Sequence, residues 1–227
     1  LKTGCFEVNN LGLHLKMFDH HRKTLVDLQL LAENFSFYKF KAENKISMGL
    51  NLNHFHKMLK SIKKKDSLQL FIDHSTVNEL SIKTIPKENT RITTSGIKIQ
   101  PVQNLDIDIP QGYSKPVIVP SSEFQKMCKD LSSIGSTNIT VIAKDFHIEF
   151  IADADGILKR KVVFGENDEN ESDDDEVNMI NYQATFATDQ LSRITKLSGL
   201  SNTMQIFPAS NDLPLLFCVP VVHDTVF

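Results

Sequence analysis

The sequence predicts an α+β protein of two similar domains, each built of antiparallel sheet with a few helices. Three observations carry this. Short runs of β-branched or alternating apolar residues dominate the chain, three helical segments share one residue register at regular spacing, and a proline-bearing stretch without helical periodicity divides the repeats. At 227 residues, 41% of them hydrophobic, the chain is long enough for two cores of ordinary domain size.

The clearest strand signals are 25–31, 68–72, 80–84, 139–143, 147–152 and 215–221. Helical spacing of apolar residues marks 54–62, 122–133 and 188–197, with Ser121 or Ser122 and Asp189 as expected N-terminal caps. Inside these helices the hexads FHKMLK (55–60), FQKMCK (124–129) and LSRITK (191–196) each read apolar, any, basic, apolar, any, basic. Their starts lie about 68 residues apart, and each is followed by a pair of strand signals, so the chain is an internal repeat. Residues three apart share a helix face, which puts Lys57/Lys60, Lys126/Lys129 and Arg193/Lys196 on equivalent faces while the apolar positions pack on sheet. Stepping the repeat back from Phe55 predicts a fourth helix before residue 1.

Segment 85–111 carries Pro86, Pro101 and Pro110, and its later part reads as a connector. The expected organisation is an N-terminal domain over 1–95, a connector over 96–110 and a C-terminal domain over 111–227. The chain opens without Met and stops in an apolar run, so both domains are expected to continue beyond it. The acidic run ENDENESDDDE (166–176) reads as a solvated loop, since it lacks the spaced ligands and glycine of a calcium loop.

A net charge of −3 gives no global reason to expect nucleic-acid binding, so that claim rests on how charge is placed. Cys5, Cys128 and Cys218 are odd in number and widely spaced, which suits free thiols in a reducing, intracellular compartment. No apolar run reaches membrane-spanning length, no signal segment opens the chain, and the sequons at Asn34, Asn138 and Asn170 are discounted with it.

Regularly repeated basic pairs within an acidic chain point to a surface shaped for phosphate, and with no base-reading module beside them the contacts carry no sequence preference. The run Lys63–Lys65 reads as a turn past a helix end. There is no phosphate loop, GxSxG, CxxC or HExxH, so no enzyme is expected. His14, His20, His21, His54 and His56 form no recognisable metal set, Cys128 reads as core, and no cofactor or metal is called for.

The segments MGLNLNHFHKMLK (48–60), PSSEFQKMCKDLSSIG (120–135), AKD (143–145) and NDLPLLF (211–217), with CFEVNNLGLHLKMFDHHRKTLVDLQL (5–30) in register, resemble the proliferating cell nuclear antigen family of DNA sliding clamps. The resemblance implies a clamp fold whose subunits close head to tail into a homotrimeric ring, helices inside and sheet outside. It implies DNA-facing Lys57, Lys60, Lys126, Lys129 and Lys196, with Asp189 and Ser133 standing where basic or His residues are usual. It implies a partner-peptide pocket from Phe18, Arg22, Leu25, Ile107, Ile109, Pro110 and Pro214, of which Phe18 and Arg22 depart from the usual residues. It further implies a modifiable Lys144 and a subunit interface of Ile97 and Ile99 against Leu158, Arg160 and Val162 of a neighbour.

The function so implied is a polymerase processivity factor that holds duplex DNA by enclosure, is opened by an ATP-driven loader, and tethers polymerases and repair proteins. It would act in the nucleus, or at the site of viral DNA replication, since the loops and the Asn and Lys content suggest a large DNA virus. The alternatives are a checkpoint-type clamp subunit, a monomeric viral processivity factor of the same fold, and, from another class, a nucleic-acid-processing enzyme.

Overall fold

The computed structural model describes residues 3–63, 65–88, 91–102, 105, 107–144, 147–165, 182–208 and 213–221. The chain forms two compact units, 1–107 and 108–227. Unit 1 opens with β1 (Thr3–Asn9), β2 (Gly12–Phe18) and β3 (Leu25–Leu31), then β4 (Ile46–Asn51), helix α1 (Leu52–Leu59), β5 (Ser67–Phe71), β6 (Glu79–Ile85) and β7 (Thr93–Lys98). Unit 2 runs β8 (Val117–Pro120), α2 (Ser121–Ser133), β9 (Asn138–Lys144), β10 (His147–Ala154), β11 (Leu158–Gly165), β12 (Tyr182–Ala187), α3 (Thr188–Ile194), a 3-10 turn (Thr195–Gly199), β13 (Thr203–Phe207) and β14 (Leu216–Cys218).

All named strand pairs are antiparallel, in sheets ordered β3-β2-β1-β4 and β5-β6-β7 in unit 1, and β11-β10-β9-β12 and β14-β13-β8 in unit 2. The pattern is one repeat used several times: a strand runs straight into a helix, and the next strand leads an antiparallel hairpin. In unit 2 the pairs exchange partners, since β12 adds to the hairpin after α2 and β8 adds to the hairpin after α3. Each strand-helix junction is thereby held by the other half of the unit; the Ser121 N–H, for example, donates to the Asn202 carbonyl at 2.8 Å.

Burial follows from the period of two in strands and of about 3.6 in helices. In unit 2, Ile139 and Val141 of β9, Ile148 and Phe150 of β10, and Phe124, Met127, Cys128 and Leu131 of α2 form one dry core. Phe124 lies edge-on to Phe150 and Phe217, with ring centroids 6.0 and 5.6 Å apart. Unit 1 has its own core of Phe6, Leu15, Met48, Leu50, Leu80, Ile82 and Ile97, capped by Phe55 and Met58 of α1.

The expected helix ends need correction. Residue 120 leads from β8 into α2 without a loop, so Pro120 is the N-cap, Ser121 is turned inward at 1% exposure, and no side chain caps the helix. Ala187, not Asp189, stands at the N-cap of α3 for the same reason, and Asp189 lies in the first turn. The side-chain cap falls on α1, where the Asn51 carboxamide oxygen accepts from the N–H groups of Asn53 and His54 at 3.1 Å each. Residues 96–98, assigned from sequence to the connector, are paired to β6 as part of β7, and Gln100 then exchanges both backbone hydrogen bonds with Gly49 of β4. A Cβ on Gly49 would meet the Gln100 carbonyl oxygen at 2.3 Å, so only glycine permits that crossing.

Candidate nucleic-acid interface and partner surfaces

The hexad register takes physical form in all three helices. In α1 the apolar Phe55, Met58 and Leu59 are half-buried, and Phe55 meets Phe6 edge-on at 5.8 Å. In α2 Phe124, Met127 and Cys128 are buried, and in α3 Leu191 is buried. The third and sixth positions turn the other way: Lys57, Lys60, Lys126, Lys129, Arg193 and Lys196 are all exposed. Lys60 sits at the C-cap of α1, where a cation complements the helix dipole, and Lys196 lies in the 3-10 turn that extends α3.

Within unit 2 the two helices run side by side, joined by a hydrogen bond between the Ser132 and Ser192 hydroxyls at 3.2 Å. The shallow groove between them is lined by Cys128, Lys129, Ser132, Ser133, Ser192 and Thr195. Its hydroxyls also lie 2.6 to 2.8 Å from carbonyls of their own helix, Ser132 from Cys128, Ser192 from Thr188 and Thr195 from Ser192, and because each hydroxyl has one proton, either Ser132 or Ser192 gives its proton to the other. Sequence reasoning missed this hydroxyl-lined groove, although Ser and Thr flanking the basic positions were its signal. Arg193 is not a bare cation, since its guanidinium pairs with Asp189 at 2.6 Å on the exposed side of α3. Such an exposed pair adds little stability, but it subtracts one charge from the basic face.

Of the expected peptide-pocket residues, Phe18 and Leu25 face each other across β2 and β3 and are half-buried. Arg22 is exposed in the turn between them, at a φ of 54°. Ile107 closes unit 1, while Ile109, Pro110 and Pro214 belong to unit 2. There the Pro214 carbonyl accepts from the Tyr113 hydroxyl at 3.0 Å, a contact that sequence reasoning did not anticipate.

The strands expected at the subunit interface, β7 and β11, each pair on one side only within their named sheets. Their alternation divides the residues. Ile97 belongs to the core of unit 1, Ile99 packs against it, and Val162 packs against the core of unit 2. Leu158 is 47% exposed, and the Arg160 guanidinium donates to the Asp130 carbonyl at 3.1 Å. Lys144 is exposed at the end of β9. Lys63 and Lys65 are exposed in a turn where the Lys63 N–H donates to the Asp66 carboxylate at 3.0 Å. The acidic run 166–176 and Lys64 lie outside the described residues.

Among the described residues no group of three or more His, Cys, Asp or Glu could hold a metal. His14 is tied to Asp27 at 2.7 Å on the sheet face. Burial pushes the Cys128 thiol up to about 12, which keeps it protonated and unreactive. No helix among the described residues is long and apolar enough to cross a membrane.

Comparison with known families gives two matches. The model of the proliferating cell nuclear antigen N-terminal domain matches residues 1–109, and that of the C-terminal domain matches residues 108–223.

Proposed function

Since the chain belongs to the proliferating cell nuclear antigen family of DNA sliding clamps, we propose that it is one subunit of a homotrimeric ring that encircles duplex DNA and tethers a polymerase and other replication and repair proteins to it. The observation that carries this reading is the recurrence of exposed basic pairs at one register on three helices, in a chain whose net charge is −3. An acidic protein that sets exposed cations at equivalent positions of three helices is suited to phosphate at those faces.

The mechanism is topological. Enclosure retains the DNA, so individual phosphate contacts can be weak and exchange as the ring slides, and none reads a base. An ATP-driven loader opens the ring, since this chain carries no phosphate loop. Partners enter through a short peptide with an aliphatic and an aromatic anchor, received near Phe18 and Leu25. Lys144 is an exposed acceptor for a ubiquitin-type modifier. The ring would work in the nucleus, or where a DNA virus replicates its genome.

The test is retention on DNA of defined topology. Loaded onto a nicked circular plasmid, the protein should co-elute with it and be released when the plasmid is cut once. Retention that is equal on linear and circular DNA would favour a monomeric processivity factor that binds by affinity.

A further inference from the structure

The turn joining β2 to β3 reads Asp19-His20-His21-Arg22-Lys23-Thr24, and its charges are sorted by the backbone. The Asp19 carboxylate is folded into the loop, where its Oδ1 accepts from the N–H groups of Lys23 at 2.7 Å and Thr24 at 3.0 Å. The loop is closed further by Asp19 N–H to the Thr24 carbonyl at 2.8 Å and Arg22 N–H to the Asp19 carbonyl at 3.1 Å. The one acid of the turn is thus committed to backbone donors, while His20, His21, Arg22 and Lys23 are exposed.

Arg22 holds a φ of 54°, a conformation that Gly or Asn adopts with less strain. The His20 and His21 rings meet edge-on at 5.1 Å, so the tip is a compact cluster. At the foot of this hairpin lies the half-buried Phe18–Leu25 pair. The next charges along the sheet face, Lys16 with Asp27 at 3.9 Å and His14 with Asp27 at 2.7 Å, are engaged with one another. An apolar pair with a basic, hydrogen-bond-donating tip beside it is complementary to a peptide whose anchors are flanked by carboxylates.

We propose that the β2–β3 hairpin tip is a docking site for an acidic segment, rich in Asp or Glu, flanking the anchor residues of a partner peptide. This deepens the peptide-pocket reading and rests on it for the anchors. The tip supplies long-range attraction and selects against partners with basic flanks; the anchors supply the apolar contact.

The experiment uses the full chain and the variant His20→Ser/His21→Ser/Arg22→Asn, in which Asn keeps the left-handed turn. Three synthetic peptides share one aliphatic and one aromatic anchor and carry a tetraglutamate, a Gly-Ser or a tetralysine flank; a fourth is the tetraglutamate segment without anchors. Binding is read by fluorescence anisotropy, and the His20 and His21 ring signals by NMR. The glutamate-flanked peptide should bind about five- to tenfold tighter than the neutral one at low salt, the size expected of a few partly screened charge pairs. That advantage, taken as the ratio of the two affinities within one protein, should vanish in the variant whatever the loss of Arg22 from the pocket does to the neutral peptide, and the anchorless acidic peptide should shift both ring signals of the unsubstituted chain. If no anchored peptide binds but the ring signals still shift, the pocket reading fails and the acidic site stands. Equal affinities for the three flanks, an advantage that survives in the variant, or ring signals moved by duplex DNA and not by the acidic peptide would overturn the proposal.

Discussion

Cys128 shows how far a single residue could be read. Its place in FQKMCK marked it as an apolar-face residue, and it is 1% exposed between Phe124 and Leu131 on the core face of α2. Burial raises its thiol to about 12 from an ordinary 9.0, and the buried Tyr182 hydroxyl rises to about 12 from 10.0. For both groups the folded state holds the proton more tightly than the unfolded chain does. Their contribution is therefore fully present below pH 9 and is lost as pH rises from there toward 12. A urea midpoint measured across that window should fall steadily. In native protein at pH 8 a thiol reagent should label Cys218, which is exposed, before the buried Cys5 and Cys128, and all three in denaturant. Fast labelling of Cys128 in native protein would contradict the packing. Ser121 was less legible, since a Ser before an apolar run is an ordinary cap signal, and only the absence of a loop between β8 and α2 turns it inward.

At the scale of elements, the helices were legible because their apolar and basic positions repeat within a few residues, a purely local signal. Strands β9 and β10 were legible for the same reason, as their core positions are Ile, Val and Phe. Strands β1 and β2 were not. Gly4 stands among the inward positions of β1, and the opposite faces carry the buried Cys5 beside Glu7, His14 and Lys16, whose charges pair with Lys45 and Asp27 and so hide the alternation. The α1 cap was hidden as well, because Asn51 ends a strand and its capping role depends on the chain turning at once into helix. Asn51→Ala should remove the acceptor for two helix N–H groups and cost about 1 kcal/mol of stability. Asn51→Asp should retain most of it. Amide exchange at Asn53 and His54 separates the outcomes: faster exchange in the alanine variant alone is expected, and equal protection in all three proteins would remove the cap from the account.

For the whole molecule, the two-domain clamp fold followed from the repeat and the resemblance together, whereas the peptide pocket is a proposal that only the resemblance suggests. The reason is physical: Phe18 and Pro214 stand in different units, and no local pattern links positions so far apart in the chain. The proposed ring requires β7 of one copy to pair with β11 of the next. A charge at Ile99 or Val162 would disturb a core as well as an interface, because both pack inward. Leu158→Asp is the cleaner probe, since Leu158 is 47% exposed at the start of β11. It should lower the native mass from trimer toward monomer with the far-UV spectrum unchanged, whereas a trimeric mass would move the interface elsewhere. The central claim is that the repeated basic helix faces are the DNA-facing surface. Its most direct test is loading onto circular DNA, and polymerase stimulation, by the variant with Lys57, Lys60, Lys126, Lys129, Arg193 and Lys196 all changed to Glu. All six side chains are exposed, so folding and assembly should survive while loading and stimulation collapse. The control reversal of Lys63, Lys64 and Lys65 should cost far less, whereas unchanged loading by the sixfold variant, with loss in the control, would contradict the account.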